Sequence, residues 1–219
     1  MNEAKSAMTP VMVNPDLIPA PEDGDADTHG YYRRMQDAVQ ALLILKGIFT
    51  PEDLAREMKA LSGRTFANGG AVVARAWTDP AYKARLLADP GKACAEAGFD
   101  LGAMQLVVHE NTPRVHNLIV CTLCSCYPRM LLGMPPDWYK SMSYRSRAVR
   151  EPRAVLKEFG TAIAEDVEIR VHDSTADLRY MVLPMRPAGT EGMDEAGLAA
   201  LVTRDCLLGV TQPLCAAAR

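Results

Sequence analysis

The chain has 219 residues, a net charge of -3 and a hydrophobic fraction of 48%, which is typical of one large domain or of a domain with an extended arm. The mild acidity gives no reason to expect binding to nucleic acid or to an anionic membrane. Because no apolar run approaches the ~20 residues of a transmembrane helix and the N-terminus lacks a secretory signal pattern, we expect a cytoplasmic protein.

The first hundred residues are predicted to be an arm followed by a helical segment. Residues 1–30 contain several prolines and the acidic run Glu22–Asp27, so we interpret them as a disordered or partner-draped arm. Over residues 31–100, apolar residues recur at helical spacing, and proline, glycine and acidic residues mark the helix ends. The predicted helices are Tyr31–Lys46, Pro51–Leu61 with Thr50 as its N-cap, Asn68–Trp77, Ala81–Ala88 and Gly91–Ala97.

The pattern changes at Leu101, and residues 101–219 are predicted to form an α+β domain. Because this domain holds three closely spaced cysteines, Cys121, Cys124 and Cys126, it is also the part of the chain expected to bind a metal and to be catalytic. Asn111–Pro113 is predicted to be the turn of a hairpin between the first two strands. The predicted strands are Met104–His109, Val115–Val120, Val167–His172, Leu178–Leu183 and the short ending Leu207–Val210. Three helices are predicted in this part of the chain: one that begins near Trp138, one over Arg153–Phe159 and one over Asp194–Thr203.

Three of the six cysteines, Cys121, Cys124 and Cys126, fall within six residues. In a chain expected to be cytosolic, such clustering indicates a metal or catalytic site rather than a disulfide framework. The residues alone leave four interpretations open: half of a structural zinc site, a redox dithiol of Cys121 and Cys124, buried inert thiols, or a compact metal centre. A zinc site would need a second ligand pair at a suitable spacing, and a redox dithiol normally begins a helix in a βαβ unit.

The compact metal centre accounts for all three cysteines. Because Cys124, Ser125 and Cys126 are consecutive, the backbone nitrogens of Ser125 and Cys126 can reach the metal that binds the thiolates of Cys124 and Cys126. Cys121 would take an axial position and leave the sixth position open for water or substrate. Thiolates select transition metals over calcium and magnesium, and such strong anionic donors suit cobalt or iron in the +3 state better than zinc.

We expect an ordinary structural role for the other residues that could suggest a site. These are the aromatic pair Trp138 and Tyr139, the strand histidines His109 and His116, and the thiols Cys94, Cys206 and Cys215. Four arginines are interpreted as a solvated surface or as an interface that pairs with acids of a partner. They are Arg145, Arg147, Arg150 and Arg153.

At the cysteines, the sequence resembles the α subunit of nitrile hydratases and the related γ subunit of thiocyanate hydrolase. The signature is V-C-T-L-C-S-C at Val120–Cys126, and the likeness extends from about Ala71 to Val210. Residues 1–30 lie outside it. Further shared motifs are P-P-D-W-Y-K-S at Pro135–Ser141, Y-R-S-R-A-V-R-E-P-R at Tyr144–Arg153, R-Y-M-V-L-P at Arg179–Pro184, R-P-A-G-T-E-G at Arg186–Gly192 and V-T-R-D-C at Val202–Cys206.

The resemblance implies a helical N-terminal arm, a four-layered α-β-β-α domain, and a hetero-oligomer with a β-type subunit that can be split into two chains. It implies thiolate ligands from Cys121, Cys124 and Cys126, with the backbone amides of Ser125 and Cys126 completing the site. Thr122 indicates cobalt(III), since threonine here accompanies cobalt in this family and serine accompanies iron(III). Cys124 would be oxidised to sulfinic acid and Cys126 to sulfenic acid, which arginines of the partner stabilise.

The implied reaction is the hydration of a nitrile to an amide. The metal would polarise the nitrile, and either the sulfenate oxygen or a metal-activated water would attack its carbon. The residues expected to take part in catalysis are Cys124, Ser125, Cys126 and Arg129.

Two positions depart from the nitrile hydratase pattern, and both concern the substrate rather than the metal. Arg129 stands where these enzymes commonly carry a pocket tryptophan, whereas the thiocyanate hydrolase type has Tyr-Pro-Arg, as at Tyr127–Arg129. Gly102 stands where a glutamine is common. The alternatives are therefore the catalytic γ-type subunit of a thiocyanate hydrolase or a metal-binding scaffold subunit without catalytic activity.

Overall fold

The computed structural model describes residues 28–124 and 126–214. The predicted arm therefore lies almost wholly outside the described residues, as do Ser125 and Cys215. The chain divides into two compact units, residues 1–56 and residues 57–219. The predicted division into arm, helical segment and α+β domain, after residues 30 and 100, stays a prediction.

The first unit contains helix α1 (Thr28–Leu45) and the beginning of helix α2 (Pro51–Ser62), so both predicted helices are confirmed. Thr50 caps α2 as expected. Its hydroxyl oxygen accepts a hydrogen bond from the backbone N–H of Asp53 at 3.0 Å, and the Asp53 carboxylate accepts one from the Thr50 N–H at 3.0 Å. This reciprocal pair satisfies two donors at the helix start.

The second unit begins its main body with three short helices, α3 (Phe66–Thr78), α4 (Pro80–Ala88) and α5 (Pro90–Glu96). Each of the two Asp-Pro pairs starts a helix. Asp79 accepts hydrogen bonds from the N–H groups of Ala81 and Tyr82, and Asp89 accepts one from Lys92. The proline that follows each aspartate has no N–H to satisfy, so it suits the first helical position.

The rest of the second unit alternates strands with short helices. The elements are β1 (Gln105–Glu110), β2 (Val115–Val120), α6 (Arg129–Leu132), α7 (Asp137–Lys140), α8 (Met142–Arg147), α9 (Pro152–Glu158), β3 (Glu168–Asp173), β4 (Leu178–Leu183), α10 (Glu195–Ala199) and α11 (Arg204–Leu207).

The turn predicted at Asn111–Pro113 is present and is closed by an isolated antiparallel bridge between Thr112 and Val115, but the predicted hairpin pairing of the first two strands is wrong. β1 pairs in parallel with β4, and β2 pairs in parallel with β3, so the consecutive strands β1 and β2 belong to different two-stranded sheets. Where the chain passes from one sheet to the other, side-chain hydrogen bonds stand in place of the expected backbone hydrogen bonds between β1 and β2. The amide of Asn117 donates to the carbonyl of Glu110 at 2.9 Å and to the Asn111 side chain at 3.0 Å.

The predicted final strand at Leu207–Val210 is also wrong, and the helix predicted over Asp194–Thr203 is shorter than expected, since α10 spans Glu195–Ala199. α10 ends at Ala199, and Thr203 caps the new helix α11 by accepting a hydrogen bond from the N–H of Cys206. Gly209 then takes a φ of +81°, and a Cβ there would lie 1.9 Å from the carbonyl oxygen of Asn117. This left-handed turn ends any extended conformation.

Helices cover the outer faces of the two packed sheets. α4 and α5 contact β1, β4 of the same sheet contacts β2, and α9 contacts β3 on the far side. The layers therefore run helix, sheet, sheet, helix around a shared core. The α+β class is confirmed.

Two histidines stack where the sheets meet. The rings of His109 on β1 and His172 on β3 lie 3.7 Å apart at an interplanar angle of 14°, and the ring of Tyr180 on β4 lies 5.4 Å and 5.5 Å from them. Asn117 on β2 accepts a hydrogen bond from Nε2 of His172 at 2.8 Å. One side chain from each strand thus joins the two sheets.

Candidate metal centre

The cysteine loop leaves the end of β2, a strand whose last five residues are buried. Val120, the last residue of β2, is paired with Asp173, the last residue of β3. Because the two strands are parallel, the loop and the end of β3 emerge at the same edge of the sheet. A rigid pair of strands therefore supports the loop, as is common for functional loops.

The three cysteine sulfurs of this loop converge. Their Sγ atoms all lie within 4.8 Å of one another. The sulfur of Cys124 lies 3.5 Å from that of Cys121 and 3.1 Å from that of Cys126. Cys121 and Cys126 are buried and Cys124 is exposed, so the cluster has one side turned towards solvent. Three soft donors at this spacing fit one transition-metal ion.

The electrostatics of the loop disfavour three bare thiolates. Burial, the hydrogen bond with Cys124 and the charge of Cys121 raise the pKa of the Cys126 thiol to about 12, against a lowering effect of Arg179. Thiolate is nevertheless the form that binds metals. A bound cation would offset the repulsion between the sulfurs, so metal binding and loss of the thiol protons are coupled.

Two charged side chains hold the first half of the loop. The carboxylate of Asp173 accepts hydrogen bonds from the backbone N–H of Thr122 at 2.9 Å and from its hydroxyl at 2.5 Å. Arg145 on α8 donates to the carbonyl oxygen of Cys121 at 3.0 Å and to that of Thr122 at 2.7 Å. Both polar backbone groups of Thr122 are therefore fixed by side chains.

Two buried tyrosines hold the backbone on either side of the sulfurs. Tyr139 donates its hydroxyl hydrogen to the carbonyl of Cys126 at 2.8 Å, and Tyr144 donates to the carbonyl of Ile119 at 2.6 Å. The N–H of Ser174 also donates to the carbonyl of Val120 at 2.7 Å. The core position expected for Tyr139 is confirmed, but its hydrogen bond to a cysteine was missed.

Arg145 is half-buried and contacts the cysteine loop, so the solvated surface is wrong for this residue, whereas the predicted interface with a partner stays a prediction. Arg147 makes ion pairs with Glu151 and Glu158, and Arg153 donates to backbone carbonyls of the segment before β3. These arginines therefore have partners within the chain. Neither contact with the loop had a local signal in the sequence. Arg145 looks like the other arginines of its motif, and Asp173 lies 51 residues from Thr122.

The remaining candidate residues lie as follows. Arg129, the first residue of α6, is exposed, and its guanidinium makes no hydrogen bond or ion pair with the described residues. Gly102 has a φ of +56°, and a Cβ there would meet the methyl group of Met130 at 3.5 Å. Ser125 falls outside the described residues, so its expected roles stay predictions.

The zinc interpretation lacks its second set of ligands. Cys94 is buried in the core, and the buried Cys206 thiol bonds to the backbone of Thr203. Nε2 of His116 bonds to the carbonyl of Gly209 at 2.7 Å. In the described part of the chain, the loop cysteines form the single cluster of three side chains suited to a metal.

The fold and the sulfur cluster define an α+β metal-site protein whose centre is built on one loop. The family model described as nitrile hydratase, alpha chain, matches residues 31–211. The chain therefore belongs to the nitrile hydratase alpha-chain family, and the resemblance of its motifs is confirmed. Among the described helices, none combines the length and the apolar character needed to cross a bilayer.

Relatives and solved structures agree with this assignment. The chain is 53% identical over 180 residues to the low-molecular-weight cobalt-containing nitrile hydratase subunit alpha of Rhodococcus rhodochrous, a match that covers 80% of this chain and 86% of the relative. It is 41% identical over 191 residues to the thiocyanate hydrolase subunit gamma of Thiobacillus thioparus, with 82% and 79% covered. A solved variant of the Fe-type nitrile hydratase of Comamonas testosteroni superposes with a TM-score of 0.78 at 46% identity, covering 84% of this chain and 91% of that one.

Proposed function

We propose that this chain is the α-type subunit of a nitrile hydratase and hydrates a nitrile to the amide at a cobalt(III) centre. The observation that carries the proposal is the convergence of three cysteine sulfurs within 4.8 Å on one loop, in a chain of this family. Water adds across the carbon–nitrogen triple bond, so that R–C≡N and H₂O give R–C(=O)–NH₂ and no other reactant is consumed.

The proposed ligands are the sulfurs of Cys121, Cys124 and Cys126 and the backbone nitrogens of Ser125 and Cys126. Cys121, which directly follows β2, and Cys126 are buried, whereas Cys124 is exposed. The centre would therefore have an inner side at Cys121 and Cys126 and an outer side at Cys124. The exposed side at Cys124 leaves room for the substrate. When bound, a trivalent metal supplies Lewis acidity towards the nitrile nitrogen.

Two cysteines are proposed to act in oxidised form, with Cys124 as sulfinic acid and Cys126 as sulfenic acid. Sulfenic acid is normally short-lived because it condenses with thiols or oxidises further. Here Cys126 is buried, and its backbone carbonyl is fixed by Tyr139. The sulfenate oxygen on its sulfur would therefore be sheltered from other reactants and oriented. That oxygen is our candidate nucleophile, with water as the alternative.

Cobalt is proposed rather than iron for two reasons. The relative at 53% identity is named as cobalt-containing, and Thr122 is the residue that accompanies cobalt in the resemblance described above. The Fe-type structure at 46% identity makes iron(III) the alternative to be tested.

A β-type subunit is the proposed partner in a hetero-oligomer, and the cytoplasm is the proposed compartment. The alpha and gamma subunit names of the relatives show that those proteins work with other chains. The loop and the neighbouring start of α8 also expose apolar side chains that a partner would cover: Leu123 of the loop is 85% exposed and Met142 of α8 is 71% exposed. A contact there would also close the solvent side of the cluster.

The proposal is tested by co-expressing the chain with its β-type partner in cobalt medium. We expect about one cobalt per chain, amide formation from an organic nitrile, and a tryptic peptide that carries two added oxygen atoms on Cys124 and one on Cys126. Active protein whose peptide holds three unmodified thiols would contradict the oxidised centre. Rapidly exchangeable zinc without turnover would instead support the scaffold alternative.

A thiocyanate hydrolase of the γ type is the second candidate, and Arg129 favours it. A guanidinium three residues after Cys126, exposed and without an acidic partner among the described residues, would attract an anion such as thiocyanate. Parallel assays on thiocyanate and on a neutral nitrile separate the candidates, because carbonyl sulfide is released only from thiocyanate. Arg129→Trp should lower turnover of thiocyanate more than that of the nitrile if this candidate is right.

A further inference from the structure

We propose that Arg145 is a positioning residue that sets the shape of the cysteine loop before any metal binds. It would do so by holding the carbonyl oxygens of Cys121 and Thr122 on one guanidinium. The proposal rests on the proposed function only for the identity of the bound metal, since Arg145 makes both contacts within this chain and without a metal.

The geometry of the contact is that of a fork. Nε of Arg145 lies 3.0 Å from the carbonyl oxygen of Cys121, and Nη2 lies 2.7 Å from that of Thr122. In a strand, consecutive carbonyls point to opposite sides. A rigid planar guanidinium can bind two consecutive carbonyls only if the chain turns between them. Arg145 thus fixes the point at which β2 gives way to the turn that brings Cys124 back to Cys121.

The base of Arg145 is itself held firmly. Ser141 caps α8 by accepting a hydrogen bond from the N–H of Tyr144 at 3.1 Å. Tyr144, the residue before Arg145, is buried and bonds to the carbonyl of Ile119 on β2 at 2.6 Å. The third guanidinium nitrogen, Nη1, contacts the sulfur of Met142 at 3.5 Å. α8 and β2 therefore move together, and Arg145 transmits that fixed spacing to the loop.

Arg145 differs from a simple cation in the shape of its donor group, because the planar guanidinium offers neighbouring N–H donors in a fixed arrangement. Charge and geometry can be separated by substitution. Lysine keeps the charge but lacks the planar fork, whereas methionine keeps much of the length and loses both.

The first experiment uses the metal-free full chain and follows alkylation of individual cysteines by iodoacetamide with peptide mass spectrometry. In Arg145→Met we expect Cys121 to react ~10- to 100-fold faster than in the unaltered chain, the effect of losing hydrogen bonds to a charged group. Arg145→Lys should lie closer to the methionine variant, and added methylguanidinium should slow the reaction of Arg145→Met. The buried thiols Cys94 and Cys206 report on the fold in the same sample.

The matched control is Arg150→Met. Arg150 lies just after α8, and its guanidinium donates to the carbonyl and hydroxyl oxygens of Ser146, so its loss removes the same charge without touching the loop. We expect Cys121 in this control to react as in the unaltered chain. Equal reactivity of Cys121 in Arg145→Met and in the control would overturn the proposal.

A general loss of fold is distinguished by the internal thiols. If Arg145→Met exposes Cys94 and Cys206 as well, Arg145→Lys decides between a local change at the loop and a general loss of fold. Faster reaction confined to Cys121 in Arg145→Lys supports the positioning role, and an equal increase at all three thiols refutes it.

The second experiment measures cobalt release to a chelator from the assembled, loaded protein. We expect cobalt to be released fastest from Arg145→Met, more slowly from Arg145→Lys, and slowest from the control Arg150→Met. Equal release rates in all three would contradict the role in the loaded centre. If the unaltered protein binds no cobalt, the proposed function fails, and the metal-free experiment still decides the role of Arg145.

Discussion

Tyr139 and Tyr144 allow the chemistry at Cys126 to be separated from the stability of the core. Both side chains are buried, at 0% and 6% exposure, and burial raises the pKa of both phenols, so both remain hydrogen-bond donors. Tyr139 donates to the carbonyl of Cys126 and Tyr144 to that of Ile119. Replacement by phenylalanine keeps the ring and removes one buried donor in each case.

The two variants should lose similar stability and differ in activity. Leaving a buried carbonyl without its donor costs ~1–3 kcal/mol, so urea unfolding should show a decrease of that size for both Tyr139→Phe and Tyr144→Phe. A shift of the Cys126 backbone also misplaces a proposed ligand and nucleophile. If misplacement raises the barrier by ~1.4 kcal/mol, kcat of Tyr139→Phe falls ~10-fold. Tyr144→Phe acts on the loop only indirectly, through α8 and Arg145, so its kcat should fall less, by about threefold or ~0.7 kcal/mol.

The assay is a paired measurement of unfolding free energy and kcat on the cobalt-loaded complex, with cobalt content determined for each sample. Full kcat in Tyr139→Phe despite lost stability would refute a role of Tyr139 in placing Cys126. An equal loss of activity in Tyr144→Phe at equal cobalt content would also refute it.

Three further predictions follow from individual contacts. Asp173→Asn should loosen the loop, because the neutral amide is a weaker acceptor for the N–H and hydroxyl of Thr122; hydrogen exchange at the Thr122 amide should accelerate ~10-fold, and no change would contradict this anchoring. Gly209→Ala should destabilise the second unit by ~2 kcal/mol or more, because its φ is +81° and the new Cβ would meet the Asn117 carbonyl at 1.9 Å; an unchanged melting temperature would argue against that close approach. Burial, then the charges of His109 and Arg170, lower the pKa of His172 to about 4, so the unfolded chain takes up protons first and stability should fall as pH drops from about 6.5 towards 4. His172→Gln keeps a donor for Asn117 and should flatten that acid-side decrease in urea-unfolding curves, whereas an unaltered pH dependence would count against the histidine pair.

Much of the local structure could be predicted because its signals are local. Asp79 and Asp89 each stand beside a proline and begin a helix, as their side chains require. The cysteine cluster was equally visible, since three thiols within six residues are close enough in sequence to reach one ion. The sulfur distances bear out that expectation.

Strand pairing could not be predicted from the same kind of signal. β1 and β2 are neighbours in sequence, yet their partners β4 and β3 lie far along the chain. An alternating apolar pattern shows that a strand has a buried face, but it does not identify the neighbouring strand. The turn at Asn111 was therefore interpreted as a hairpin although it carries the chain between two sheets.

The supports of the loop were missed for a related reason. Arg145 lies 24 residues from Cys121, and Asp173 lies 51 residues from Thr122, so only the folded chain brings them together. Within its own motif, Arg145 is indistinguishable from Arg147 and Arg150, which bind elsewhere. The ending at Leu207–Val210 was misjudged because its apolar residues suggest a strand, whereas the left-handed Gly209 and the cap at Thr203 impose a helix and a turn.

The central claim is that the loop of Cys121, Cys124 and Cys126 holds one trivalent metal through sulfur and backbone nitrogen. X-ray absorption at the cobalt edge of the loaded complex tests it most directly. We predict a first coordination sphere with the three sulfur neighbours of the cluster together with nitrogen. A sphere of oxygen and nitrogen alone, or cobalt that remains bound when all three cysteines are replaced by serine, would contradict it.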